Sequence, residues 1–126
     1  MEETSNLKEQ LEAIDNRIKE LEDSIQLAKD LNELHEDERF KRVILDGYFE
    51  EEAKRLFSVL VTPSTLKRDV VQNIQDKLSS IRNLKQFFGV VLQNANMAPE
   101  LIEEEKAYRK EVTAYHANKN ENENEE

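Results

Sequence analysis

The amino-acid sequence predicts an all-α protein, and three observations carry that expectation. Gly and Pro occur only twice each in 126 residues, Trp and Cys not at all, so the residues that punctuate turns are nearly missing. Leu, Glu, Lys, Gln, Asn and Ala dominate the chain, a usage typical of helices. Apolar residues recur at three- and four-residue spacings in each successive segment, the period of a helix face.

Leu7, Leu11, Ile14, Ile18, Leu21, Ile25 and Ala28 follow one another at spacings of 4, 3, 4, 3, 4 and 3, a heptad seam of three repeats. With Leu11, Ile18 and Ile25 at a, the d positions are Leu7, Ile14, Leu21 and Ala28. Beyond Ala28 the seam would need Asn32 and His35, whereas the apolar residues move to Leu27, Leu31 and Leu34. Ser5 is the expected N-cap of a helix over 5–34, about 45 Å long at 1.5 Å per residue. Leu7, Leu11, Ile14, Ile18, Leu21 and Ile25 are the candidate partner-binding residues. Their seam can be filled by a second copy, by another helical protein, or by helices of the same chain. Arg17 at g and Glu22 at the next e could pair across a parallel dimer, while Ile14 at d weakens the usual dimer preference.

The segment 37–116 reads as a helical bundle of three further helices. Asp37 is the expected N-cap of the first, with acid in the opening turn where the helix dipole favours it. Phe40, Val43, Ile44 and Tyr48 form a stripe, Gly47 interrupts it, and Phe49, Ala53, Leu56, Phe57 and Leu60 resume it. Gly in a helix costs about 1 kcal/mol relative to Ala. Either a close-packed neighbouring helix or a hinge accounts for Gly47. Pro63 ends this helix, because the residue before proline is driven out of α geometry.

Thr65 approximates a capping start for the next helix, which Val70, Ile74, Leu78, Ile81, Leu84, Phe88, Val91 and Leu92 mark. Pro99 suits the first turn of a last helix, whose expected stripe is Leu101, Glu105, Tyr108, Val112 and Tyr115, with Ile102 widening it. Phe57 and Phe88 are expected in one core. Short connections favour antiparallel neighbours in an up-and-down arrangement. Residues 117–126 contain no large apolar side chain and are expected to be a disordered acidic tail.

Charge constrains the partners. There are 18 Lys and Arg against 28 Asp and Glu, a net charge of −10, so nucleic acid is disfavoured as a partner for the chain as a whole, since phosphate affinity comes from clustered cations. The only basic stretch is 63–97, with Lys67, Arg68, Lys77, Arg82 and Lys85. No window reaches the roughly 18 apolar residues of a membrane span, and Met1-Glu2-Glu3-Thr4-Ser5 lacks the basic start of a signal peptide, so the expectation is a soluble intracellular chain.

No enzyme is expected, and no cofactor or metal. Thiol chemistry is excluded without cysteine. A di-iron bundle needs Glu-x-x-His pairs, but Asn32 and Thr113 stand three residues before His35 and His116. Both histidines lie near expected helix ends and are expected to be exposed. Ser58, Ser64, Ser79 and Ser80 have no nearby histidine, and no glycine-rich phosphate loop occurs. Glu50-Glu51-Glu52 and Glu103-Glu104-Glu105 point around a helix instead of converging on a cation, so both are expected to be solvated.

The run FKRVILDGYFEEEAKRL from Phe40 to Leu56, preceded by an acidic heptad helix and followed by a Leu- and Phe-rich one, resembles small helical proteins encoded among the head and tail genes of tailed bacteriophages. The likeness covers residues 5–112, and Ile44-Leu-Asp-Gly-Tyr-Phe49 is its most specific part. It implies an accessory, assembly or virion protein, found in the host cytoplasm or on the particle, with phage structural proteins as partners. No site residues come with it. The expected function is therefore a non-enzymatic interaction protein acting through coiled-coil association. Two competing readings remain: an acidic DNA mimic, which needs carboxylates dominating one continuous face, and a nucleic-acid binder using the five cations of 63–97.

Overall fold

The computed structural model describes residues 2–62 and 66–124. All regular structure among them is helical: α1 spans Glu2–Glu36, α2 is the single turn Glu38–Phe40, a π-helix covers Lys41–Glu52, α3 spans Ala53–Val61 and α4 spans Arg68–Asn124. The all-α expectation holds. α1 begins three residues before Ser5, so Ser5 is not its cap. Pro63, Ser64 and Thr65, the expected break and capping start, lie outside the described residues.

Asp37 does cap the second helical stretch. Its backbone is extended, at φ −74° and ψ 124°, and its side chain accepts hydrogen bonds from the backbone N–H groups of Arg39 and Phe40, satisfying donors that have no intrahelical partner. The Arg39 guanidinium also donates to the Asp37 carboxylate at 3.0 Å.

Pro99 does not start a helix. α4 runs through it without a break, so the third and fourth expected helices are one and the short connection expected between them is absent among the described residues. Proline within a helix removes one hydrogen bond and crowds the preceding turn, at about 3 kcal/mol or more. Ala98, fully buried, and Ile102 one turn on supply the packing that carries the helix across. α4 also continues to Asn124, so residues 117–124 are helical instead of a disordered tail, while Glu125 and Glu126 lie outside the described residues. Propagating an existing helix adds a hydrogen bond per residue without a new nucleation cost.

The chain divides into two compact units, one of Met1–Leu27 with Gln93–Glu126 and one of Ala28–Leu92. These boundaries differ from the 5–34, 37–116 and 117–126 segmentation. Charge follows the structural division: the first unit holds 17 acidic and 7 basic side chains and therefore the whole net charge of −10, whereas the second holds 11 of each.

In the neutral unit, Phe49, Leu56, Ile74 and Ile81 form the core, flanked by Ile44, Leu45, Tyr48, Leu60 and Phe88. The π-helix explains why Val43 is exposed while Ile44 and Leu45 are half-buried: closing N–H to the carbonyl five residues back lengthens the repeat, so Phe40, Ile44 or Leu45, Phe49 and Ala53 share a face. Gly47 permits this geometry. A Cβ there would lie 2.9 Å from the carbonyl oxygen of Arg42, five residues earlier, so the crowding comes from the helix itself and not from a neighbour. Phe57 is 59% exposed while Leu56 is only 2% exposed, which corrects the placement of Phe57 in the core: Leu56 and Leu60 face inward, and Phe57 sits about 100° around the helix from Leu56. Of Leu27, Leu31 and Leu34, only Leu31 is buried.

The acidic unit is an antiparallel helix pair. Arg109 Nε donates to Asp15 at 3.0 Å and Arg17 Nε to Glu105 at 2.9 Å, so α1 and α4 run in opposite directions. Ile14, 1% exposed, is buried here together with Ala98, Ile102 and Val112.

Candidate functional site

The α1 seam is turned toward α4 of the same unit. Ile14 is buried, and Leu7, Leu11, Ile18, Leu21 and Ile25 are half-buried. The unit consists of stretches of α1 and α4, tied by the Arg17–Glu105 and Arg109–Asp15 pairs, and Ile14 on one and Ala98, Ile102 and Val112 on the other are buried. Arg17 pairs with Glu105 within the chain, a role different from reaching Glu22 of a parallel copy.

On α4 the inward line is Ala98, Ile102, Glu105, Arg109, Val112, His116 and Lys119, each buried or half-buried and spaced 4, 3, 4, 3, 4 and 3. It separates what the sequence joins in one stripe. Glu105 and Val112 turn inward, while Leu101, Tyr108 and Tyr115 stand outside, the two tyrosines at 48% and 63% exposure. Met97, 51% exposed, extends this outer line, giving apolar residues at 97, 101, 108 and 115, the a and d places of a second heptad frame. The sequence signal for it is the seven-residue spacing of Leu101, Tyr108 and Tyr115, hidden by Glu105 and Val112 falling between them.

Two open grooves follow the outer line. One, of about 400 Å³, is lined by Arg17, Glu20, Leu21, Ser24, Met97 and Leu101 among others. A second, of about 310 Å³, includes Gln10, Tyr108, Glu111, Tyr115 and His116. Glu104 and Glu111 are exposed on the same outer face. Glu105 instead sits half-buried, one oxygen on Arg17 and the other, Oε2, without a hydrogen-bond partner among the described residues, which departs from its expected place on a solvated face. The pairing with Glu105 raises the affinity of the Arg17 guanidinium for its proton.

His35 is not the exposed residue expected from its position near a helix end. It is half-buried, its Nδ1 donates to the Leu31 carbonyl at 2.8 Å, and its ring meets Phe40 and Phe88 at centroid distances of 5.3 and 5.8 Å. Phe49 joins this cluster through Phe88, and the Lys85 ammonium stands 5.3 Å from the Phe49 ring centroid, a cation–π contact. His116 is half-buried beside Tyr115.

Hydroxyl groups are engaged within their own helices: Ser58 Oγ donates to the Arg55 carbonyl and Ser80 Oγ to that of Asp76, while Ser79 Oγ accepts from Arg82. Ser64 lies outside the described residues. Glu52 is bound by the Arg55 guanidinium, which lowers its proton affinity, and Glu51 and Glu103 face Lys54 and Lys106 one turn on. Among the described residues no group of three His, Asp or Glu side chains is placed to hold a metal ion, and no helix is long and apolar enough to cross a membrane. Lys67, Arg68, Lys77, Arg82 and Lys85 are exposed, all in the unit whose charges balance.

No protein-family model, curated protein or solved structure matches the chain.

Proposed function

We propose that the protein is a non-enzymatic helical interaction protein that works by coiled-coil packing, of the accessory or assembly kind encoded among phage head and tail genes, acting in the host cytoplasm or on the particle. The observation that carries this reading is the outer line of α4, where Met97, Leu101, Tyr108 and Tyr115 remain exposed at heptad positions after the α1 seam has been used within the unit. Large apolar side chains left exposed along one helix line mark candidate interaction surfaces. The FKRVILDGYFEEEAKRL run supports the phage assignment.

The reading is tested by placing a photo-crosslinking amino acid at one of three exposed aromatic positions, Tyr108, Phe57 or Phe87, in the cell that makes the protein. A discrete adduct from at least one position is expected, and no adduct from any of the three would refute the reading.

A second reading, an acidic DNA mimic that occupies a nucleic-acid-binding protein, is favoured by the concentration of the whole −10 charge in one unit. Displacement of the captured partner by duplex DNA would select it over the first.

A further inference from the structure

We propose that the outer face of the acidic unit docks a basic amphipathic helix of a partner protein, which lies as a third helix along α1 and α4. This rests on the interaction reading above and names the chemistry of its partner.

Three features define the occupant. The first is length: Met97 to Tyr115 spans about 27 Å at 1.5 Å per residue, the reach of a helix of about five turns. The second is periodicity, because the exposed residues keep a seven-residue repeat, which a straight two-faced helix matches and a flat or irregular surface does not. Tyr108 and Tyr115 supply the large amphipathic side chains that dominate helix-docking energetics, and the groove beside Leu21, Ser24, Met97 and Leu101 receives knobs from the incoming helix.

The third feature is charge, and it decides between partners. Glu104 and Glu111 occupy the remaining places of the outer frame and form no ion pair among the described residues, and Glu20 lies in the groove. The one cation lining that groove, Arg17, is engaged by Glu105. An incoming helix therefore gains by carrying Lys or Arg beside its apolar stripe. A second copy of this face would bring the same carboxylates into the interface, together with the −10 charge of its own unit, and like charges opposed at an interface are repelled. Nucleic acid is disfavoured for the same reason.

The test uses the full chain and three labelled peptides of about 21 residues, or three heptads. One has Leu at a and d with Lys at e and g, one has Glu in place of Lys, and one is a scramble of the Lys peptide. Titration followed by fluorescence anisotropy is expected to show saturable 1:1 binding of the Lys heptad peptide alone. Leu101→Glu, Tyr108→Glu and Tyr115→Glu should each weaken it by about tenfold or more, whereas Phe57→Glu leaves it unchanged. Circular dichroism melts establish that each variant is folded, and with three independent exposed positions one misfolded variant does not decide the result.

Equal binding of the scramble would reduce the effect to bare charge attraction and overturn the inference. Equal binding of the Glu peptide, or of all three variants, would overturn it too. Light scattering that shows a dimer dissolved by Leu101→Glu would make a second copy the occupant instead. If crosslinking at Phe57 or Phe87 captures a protein while no peptide binds this face, the interaction reading stands and the docking inference alone falls.

Discussion

Replacing Gly47 by Ala tests the least regular part of the fold. In an ordinary exposed helix this change stabilises by about 0.4–1 kcal/mol, because Ala loses less backbone entropy on folding. At position 47 the new Cβ would lie 2.9 Å from the Arg42 carbonyl oxygen, a backbone atom that cannot rotate away. Forcing extra atoms into a filled space costs about 1–3 kcal/mol, so the net expectation runs from near zero to about 2.6 kcal/mol of destabilisation.

Relaxing the π-helix to α geometry does not offer an escape, since removing one residue's offset turns the downstream face by about 100°. That would swing Phe49 away from Leu56, Ile74 and Ile81, its partners in the core. Gly89 provides the control within the same unit, because a Cβ there meets nothing within 4 Å and Gly89→Ala should gain about 0.5–1 kcal/mol. Thermal melts should therefore order the variants Gly89→Ala, wild type, Gly47→Ala, with about 3–5 °C per kcal/mol for a domain of this size. Amide exchange across Lys41–Val61 should accelerate only in the Gly47 variant. If Gly47→Ala stabilises as much as Gly89→Ala, the crowding argument and the π geometry are both refuted.

Leu56→Ala should cost about 2–5 kcal/mol, whereas Phe57→Ala should change stability by about 0.5 kcal/mol or less; equal denaturant midpoints for the two would misplace the core face. Pro99→Ala should stabilise by about 1–3 kcal/mol, since it restores an interior hydrogen bond, and a neutral result by urea denaturation would mean that a separate helix starts at Pro99. The Arg39 guanidinium and the two backbone N–H groups hold the Asp37 carboxyl well below the ordinary range, at about 2. A depressed folded-state pKa gives stability that is fully present above the unfolded value near 3.8 and is lost as pH falls toward 2. The advantage of wild type over Asp37→Asn, which keeps a neutral cap, should therefore shrink between about pH 4 and 2; a difference that persists at pH 2 would show that the charge plays no part.

Helix class and the α1 seam are legible in the sequence because each rests on local periodicity. Asp37 is legible as well, since capping is decided by three or four neighbouring residues. The corrected expectations share a different origin. Pro99 has a strong local preference for a helix start, but burial of Ala98 and Ile102 overrides it, and that burial depends on α1, distant in the chain. Hydrophobicity alone places Phe57 inward, although Leu56 and Leu60 already define the inner face, and the upstream π-helix shifts which residues reach it. The stripe from Leu101 to Tyr115 contains two interleaved heptad lines. Only knowledge of where α1 lies tells which line faces inward, so spacing cannot separate the outer face from the inner one.

The polar residues in the inner line explain how a bare helix pair acquires one orientation. A seam of Leu and Ile alone can slip by a heptad, or reverse, with little change in buried area. Glu105 and Arg109 occupy inward positions of α4 and meet Arg17 and Asp15 on α1, contacts available together in one antiparallel register only. Their contribution to stability is small, because the pairs are partly exposed and Glu105 Oε2 has no partner among the described residues. What they supply is discrimination against wrong alignments. Sliding α1 by one heptad would bring Gln10 or Ser24 to the place of Arg17, and either leaves the half-buried Glu105 carboxylate without a compensating cation. Fixing the register in this way also fixes which side of α4 is left open. The exposed line of Met97, Leu101, Tyr108 and Tyr115 thus follows from the same two ion pairs that align the helices.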